Sequence, residues 1–187
     1  MYLIVGLGNP GEQYENTPHN AGFYFLDTFA QMLRAGTDLS VAPWGKDKLF
    51  ESSFSKVTKN DDDIAVFQRP DTYMNESGRA VKKALKRFGI QNYMKELVLV
   101  HDDLDIELGS YKIQKGKSPK DHKGVLSVEN SLGGIDFLRV RIGVEARENR
   151  NIPGDKFVLI PFSEGQMEML NDAVLGAIRD LREILHF

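Results

Sequence analysis

The sequence predicts one α/β domain, and three observations carry that expectation. The chain has 187 residues, 41% of them hydrophobic and 27% charged, which suits a single buried core of ordinary size. Short apolar runs of strand length are interspersed with stretches of helical periodicity along the chain. Neither an internal repeat nor a linker-like stretch divides it, so one unit spanning 1–187 is expected.

Taken in order, residues 2–6 read as a fully buried strand running into the turn Gly6-Leu7-Gly8-Asn9-Pro10-Gly11. A helix is expected from Thr17-Pro18 to about Arg34. Thr17 would be its N-cap and Pro18 its first residue, where a missing N–H costs nothing. Residues 48–57 and 63–68 alternate as two strands around the turn Asn60–Asp63. Residues 76–88 read as a helix that Gly89 ends, with Asn75 a natural N-cap. Leu97–Val100, Ser110–Lys115 and Phe137–Val144 read as strands, and 124–132 as a short helix. A long last helix covers 163–185, opened by Ser163 with a glutamate just behind it. The stretches 116–124 and 145–156 read as surface loops, the first being the best candidate for a mobile one.

Composition narrows the function. With no cysteine, disulfides, thiolate nucleophiles and cysteine-based zinc sites are excluded. The opening Met1–Gly6 is too short and glycine-bounded for a secretory leader, and no apolar run approaches a membrane span, so a cytoplasmic protein is expected. The net charge of -3 argues against nucleic-acid binding by bulk electrostatics. Any RNA contact must then come from local clusters. Arg79, Lys82, Lys83, Lys86 and Arg87 share one helix face, opposite Val81, Ala84, Leu85 and Phe88. A face of one sign suits phosphate better than the mixed signs usual on a solvated face. Lys112, Lys115, Lys117, Lys120 and Lys123 form a second cluster.

The turn Gly6–Gly11 fits the dinucleotide fingerprint G-x-G-x-x-G but fails its context. The fingerprint needs a helix opening at the loop and an acid at the end of a second strand. Here Pro10 interrupts the loop, the helix waits until Pro18, and the acid at the right distance, Asp27, falls within that helix. What remains is a turn presenting Asn9, with Tyr14, His19 and Asn20 close behind. At a helix start, the positive dipole end would keep His19 neutral and able to accept a proton. His101-Asp102-Asp103-Leu104-Asp105 follows a buried strand, where α/β enzymes place reactive groups. Three readings stay open for it: ligands of a hard metal, a carboxylate that orients a histidine, or plain turn chemistry.

Taken together and in order, these segments resemble the bacterial-type peptidyl-tRNA hydrolases. The resemblance rests on Val5–Gly11 with Tyr14, Thr17, His19, Asn20, Ala21 and Gly22, then Tyr73-Met74-Asn75-Glu76-Ser77-Gly78 and His101–Asp105. Phe137–Gly143 and Lys156–Leu159 are similar to later family segments, so the match runs from residue 2 to about 160. It implies a three-layer α/β/α domain with a twisted mixed sheet flanked by helices. It also implies a monomer acting on peptidyl-tRNA without cofactor or metal. His19 would be the catalytic base and Asp102 its partner. Asn9 and Asn75 would orient substrate and water, Met74 and Tyr14 would line the crevice, and Arg141 would help hold the terminal phosphate of the tRNA. A catalytically silent RNA-binding relative is the competing reading. Its discriminator is the catalytic set, and Asn9, His19, Asn75 and Asp102 are all present.

Three departures stand out. Pro119-Lys120-Asp121-His122-Lys123-Gly124 replaces a glycine-rich stretch ending His-Asn-Gly, so Lys123 stands at the crevice asparagine. Gln114 falls where a second phosphate-holding lysine is expected, with Lys112 and Lys115 nearby. The longer basic tail of many members is not present after Phe187.

Overall fold

The structure, a computed structural model, describes residues 1–36, 38–117, 119, 121–148 and 151–187. In chain order the elements are β1 (Tyr2–Gly6), α1 (Ala21–Gly36), β2 (Ser40–Val41), β3 (Gly45–Asp47), β4 (Ser52–Lys59), β5 (Asp62–Pro70) and α2 (Ser77–Arg87). There follow α3 (Tyr93–Glu96), β6 (Leu97–Glu107), β7 (Tyr111–Lys115), α4 (Lys123–Leu132), β8 (Leu138–Glu145), α5 (Gly154–Phe157) and α6 (Glu164–Leu185). Single 3₁₀ turns cover Glu12–Tyr14, Pro18–Asn20 and Met74–Glu76.

The strands form one mixed sheet in the order β2-β4-β5-β1-β6-β8-β7, with β3 beside β4. Its centre is parallel: β1 pairs with β5 and β6, and β6 with β8. Antiparallel pairs finish both edges. Because side chains alternate along a strand, each central strand feeds two cores. Ile4, Phe67, Val98, Val100 and Val140 meet α1 and α6 through Phe25, Phe29, Leu33, Val174 and Ile178. Leu3, Val5, Val66, Leu97 and Leu99 meet α2 and α4 through Val81, Leu85, Val125 and Val128. The result is the three-layer α/β/α arrangement that the resemblance implied.

Local chemistry moves several boundaries. The helix expected from Pro18 begins with a 3₁₀ turn and becomes α-helical only at Ala21. Thr17 does not cap it, because its hydroxyl donates to the Tyr14 carbonyl at 2.8 Å. Asn75 likewise makes no cap; it sits inside the turn Met74–Glu76. Ser163 does open α6, in a reciprocal box with Gln166 rather than with the neighbouring glutamate. The short edge strands β2 and β3 carry too little pattern to be read from sequence.

One glycine fixes how α1 meets the sheet. A β-carbon at Gly22 would lie 2.5 Å from Leu7 N and Leu7 O and 2.6 Å from Val100 O, all backbone atoms. Nothing there can yield without moving β1 or β6. Gly22→Ala is expected to cost about 1–3 kcal/mol, the usual penalty for overpacking. A urea midpoint equal to wild type would mean that α1 is not seated this closely.

Candidate active site

The site lies where β6 outruns β1. β1 ends at Gly6, which pairs with Val100, and Leu7 N donates to Val100 O at 2.9 Å. From His101 onward β6 has no β1 neighbour, and the 3₁₀ turn carrying His19 occupies that side. A backbone bond from His19 N to Val158 O, 2.9 Å, pins the turn from above. The sequence suggests that His101–Asp105 follows the strand; the segment instead lies within β6, so the strand itself positions these carboxylates.

Asp102 is buried and serves two imidazoles. His19 Nδ1 lies 3.0 Å from Asp102 Oδ1 and 3.1 Å from Oδ2. His122 Nε2 lies 2.8 Å from Oδ1. Backbone geometry settles the His122 tautomer, because its Nδ1 accepts from Gly124 N at 3.1 Å and Val125 N at 3.3 Å, capping α4. The proton must then sit on Nε2 and point at Asp102. His19 donates from Nδ1 in the same way, which leaves its Nε2 lone pair without a partner among the described residues. The two rings lie 4.9 Å apart, centroid to centroid.

Electrostatics follow from this arrangement. Burial pushes the His19 pKa down, but the charge and hydrogen bond of Asp102 outweigh it, so the net shift is upward from 6.5. The expectation that His19 is held neutral is corrected in direction: burial is the largest single influence, and the Asp102 charge and hydrogen bond together turn the net shift upward. Burial would raise the Asp102 pKa, and the two histidines reverse that, holding it far below the usual carboxylate range. His101 is different. Fully buried, and donating Nδ1–H to Asp102 O at 2.7 Å, it is pushed down to about 3, chiefly by burial. It stays neutral and packs edge-on against His122.

A cleft of about 1000 Å³ opens over this cluster, lined among others by Asn9, His19, Met74, Asn75, Asp102, His122 and Lys123. Asn9 Oδ1 accepts from Met74 N at 3.0 Å. That bond orients the amide and leaves its NH₂ as the group available to donate. Asn20 holds the same loop by pairing with the Asn9 backbone N and O at 2.8 and 3.0 Å.

Two expected site residues stand elsewhere. Tyr14 is half-buried and does not line the cleft. Arg141 is 3% exposed and does not line the cleft, and its Nε donates to Asp103 Oδ2 at 2.6 Å. Its cross-strand neighbour Lys112 is the exposed cation there. Gln114 faces the buried Arg139 across the same strand pair. The basic face of α2 is also corrected. Arg79 and Lys83 pair with Glu51, and Arg87 with Asp47, acids supplied from the β3–β4 region. Only Lys82 and Lys86 remain exposed without an ion pair among the described residues. Lys120 of the second cluster lies outside the described residues.

His122 is the residue that sequence reasoning passed over. The signal was the histidine of the family-like His-x-Gly in 122–124, overshadowed by the lysine beside it. His19, Asp102 and His122 are also the one group among the described residues with spacing fit for a metal, their ligand atoms within 4.8 Å. The tautomer argues against it. Backbone donors occupy Nδ1 of His122, so Nε2 carries a proton and offers no lone pair. The hard-metal reading of Asp102, Asp103 and Asp105 fares no better, since Arg141 holds Asp103.

Fold and site together define an α/β enzyme whose cleft is built around a histidine–aspartate–histidine cluster. Residues 3–186 match the model of the peptidyl-tRNA hydrolase family. The peptidyl-tRNA hydrolase of Thermodesulfovibrio yellowstonii is 34% identical over 190 residues, covering 100% of this chain and 93% of that one. That of Desulfotalea psychrophila is 38% identical, covering 90% and 82%. The crystal structure of peptidyl-tRNA hydrolase from Acinetobacter baumannii superposes with a TM-score of 0.84 at 26% identity, covering 100% of this chain and 89% of that one. The chain belongs to the peptidyl-tRNA hydrolase family.

Proposed function

We propose that this enzyme hydrolyses the ester joining a peptide, or an N-acylated amino acid, to the 3′-terminal ribose of tRNA, with His19 as general base. The observation that carries the reading is the His19 Nδ1–Asp102 hydrogen bond in a cleft that the amides of Asn9 and Asn75 also line. Water bound at Nε2 gives up a proton as its oxygen attacks the ester carbonyl. The oxyanion is met by the NH₂ groups of Asn9 and Asn75. Collapse expels the ribose oxygen, which takes the proton back from His19. A sugar alkoxide leaves more easily than an amide nitrogen, so the step needs no covalent intermediate and no cofactor. Asp102 holds the imidazole in the productive tautomer and steadies its positive charge, and His122 fixes Asp102. Recognition rests on peptide backbone and on generic tRNA shape and phosphate, by a monomer in the cytoplasm. Among the described residues no helix is long and apolar enough to cross a membrane.

Release of N-acetyl-amino acid from N-acetyl-aminoacyl-tRNA tests the reading. Binding of that tRNA without release would favour the silent RNA-binding relative instead. The same assay carries a prediction about metal: activity is expected to survive EDTA, and elemental analysis to find no stoichiometric zinc or magnesium. Loss in chelator, restored by one divalent ion, would overturn the histidine mechanism.

A further inference from the structure

We propose that Lys123 receives the phosphodiester adjacent to the scissile ester, so that the cleft prefers esters of a 5′-phosphorylated nucleoside to esters of a bare one. The proposal rests on the hydrolase reading above and adds the anion that the site selects. Its basis is the charge inventory of the cleft. Five aspartates line it: Asp102, Asp103, Asp105, Asp121 and Asp155. Asp102 is spent on two histidines and Asp103 on Arg141. Asp105, Asp121 and Asp155 have no cation partner among the described residues. Such a lining repels a polyanion at close range, where screening by salt is weakest.

Lys123 is the one lysine or arginine in that lining among the described residues. It is the first residue of α4, directly after His122, whose ring lies 4.9 Å from that of His19. Its side chain is exposed, and no ion pair among the described residues holds it. The ester oxygen and the 5′-phosphate sit on the same ribose. A substrate with its ester carbonyl at His19 therefore brings that phosphate into the same cleft. A lysine suits this position because it is a point charge on a flexible stem, with three donors and no demand for bidentate geometry. The basic side chains that α2 was expected to offer are largely neutralised, which leaves the cleft more dependent on this one.

The test compares wild type with Lys123→Met and Lys123→Asn on two small esters and on acylated tRNA. The esters are N-acetyl-aminoacyl adenosine and its 5′-monophosphate. The loss of kcat/KM is expected to be about tenfold larger on the phosphorylated ester than on the bare one, as for one charge-assisted contact. On N-acetyl-aminoacyl-tRNA, KM should rise, and the slope of its logarithm against log salt should flatten by about one unit. An equal loss on both esters would overturn the proposal and, with a moved acid limb, would mean that Lys123 acts on His19. No loss on either ester would also overturn it, leaving Lys123 a solvated lysine. Wild-type turnover of the acylated tRNA reports on the hydrolase reading separately, because the Lys123 conclusion uses only the ratio between substrates.

Discussion

His19→Ala is expected to lower hydrolysis by about 10²–10⁴-fold, the usual contribution of a positioned general base, while folding and tRNA affinity stay close to wild type. The side chain is 13% exposed and makes one polar contact, to Asp102. Removing it does not orphan that buried carboxylate, because His122 Nε2–H still donates to Oδ1. The turn itself is held by backbone, through His19 N to Val158 O and Asn20 N to Thr17 O. The variant should therefore melt near wild type and retain tRNA in a filter-binding assay, yet release almost no acylated amino acid. Retention of more than about a tenth of the activity would remove His19 from the role of base.

How much of this was legible in the sequence depends on range. The parallel centre of the sheet and its flanking helices follow from local patterns: Leu3–Val5 and Leu97–Val100 are continuous apolar runs, and α1 repeats Phe25, Leu26, Phe29 and Leu33 at helical spacing. The pairing of His19 with Asp102 was legible because each sits in a dense signature. What sequence could not give were the partners of charges. The stripe on α2 reads as free cations until β3 and the loop after it fold back, bringing Asp47 and Glu51 against it. Arg141 reads as a phosphate ligand, and its spacing gives no hint that its Nε meets Asp103 in the fold. The same blindness hid His122, because its role arises from Asp102, 20 residues away in sequence. Each of these contacts is a long-range ion pair or hydrogen bond, and one-dimensional spacing holds no record of those.

Asp102→Asn is expected to cost about 10²-fold in kcat/KM and to move the acid limb of the pH profile downward. In the proposed mechanism the base acts as neutral imidazole, so activity should rise as pH rises through the His19 pKa. In the wild type, burial lowers that pKa and Asp102 raises it by more, so the limb lies above 6.5. An amide keeps the shape and removes the charge. Burial and the Lys123 cation, both of which lower the pKa, are then unopposed, and the limb falls below 6.5. The rate falls for a second reason. Asp102 accepts N–H from His19 at both oxygens and from His122 at one. An asparagine has one acceptor oxygen, so either its NH₂ faces a ring N–H or one histidine turns away. The loss should still be smaller than that of His19→Ala, since the base remains and only its orientation and charge support are weakened. A limb that stays in place would show that Asp102 does not set the His19 charge state. A loss equal to that of His19→Ala, with the limb moved, would mean that orientation of the ring accounts for nearly all the catalysis by this histidine.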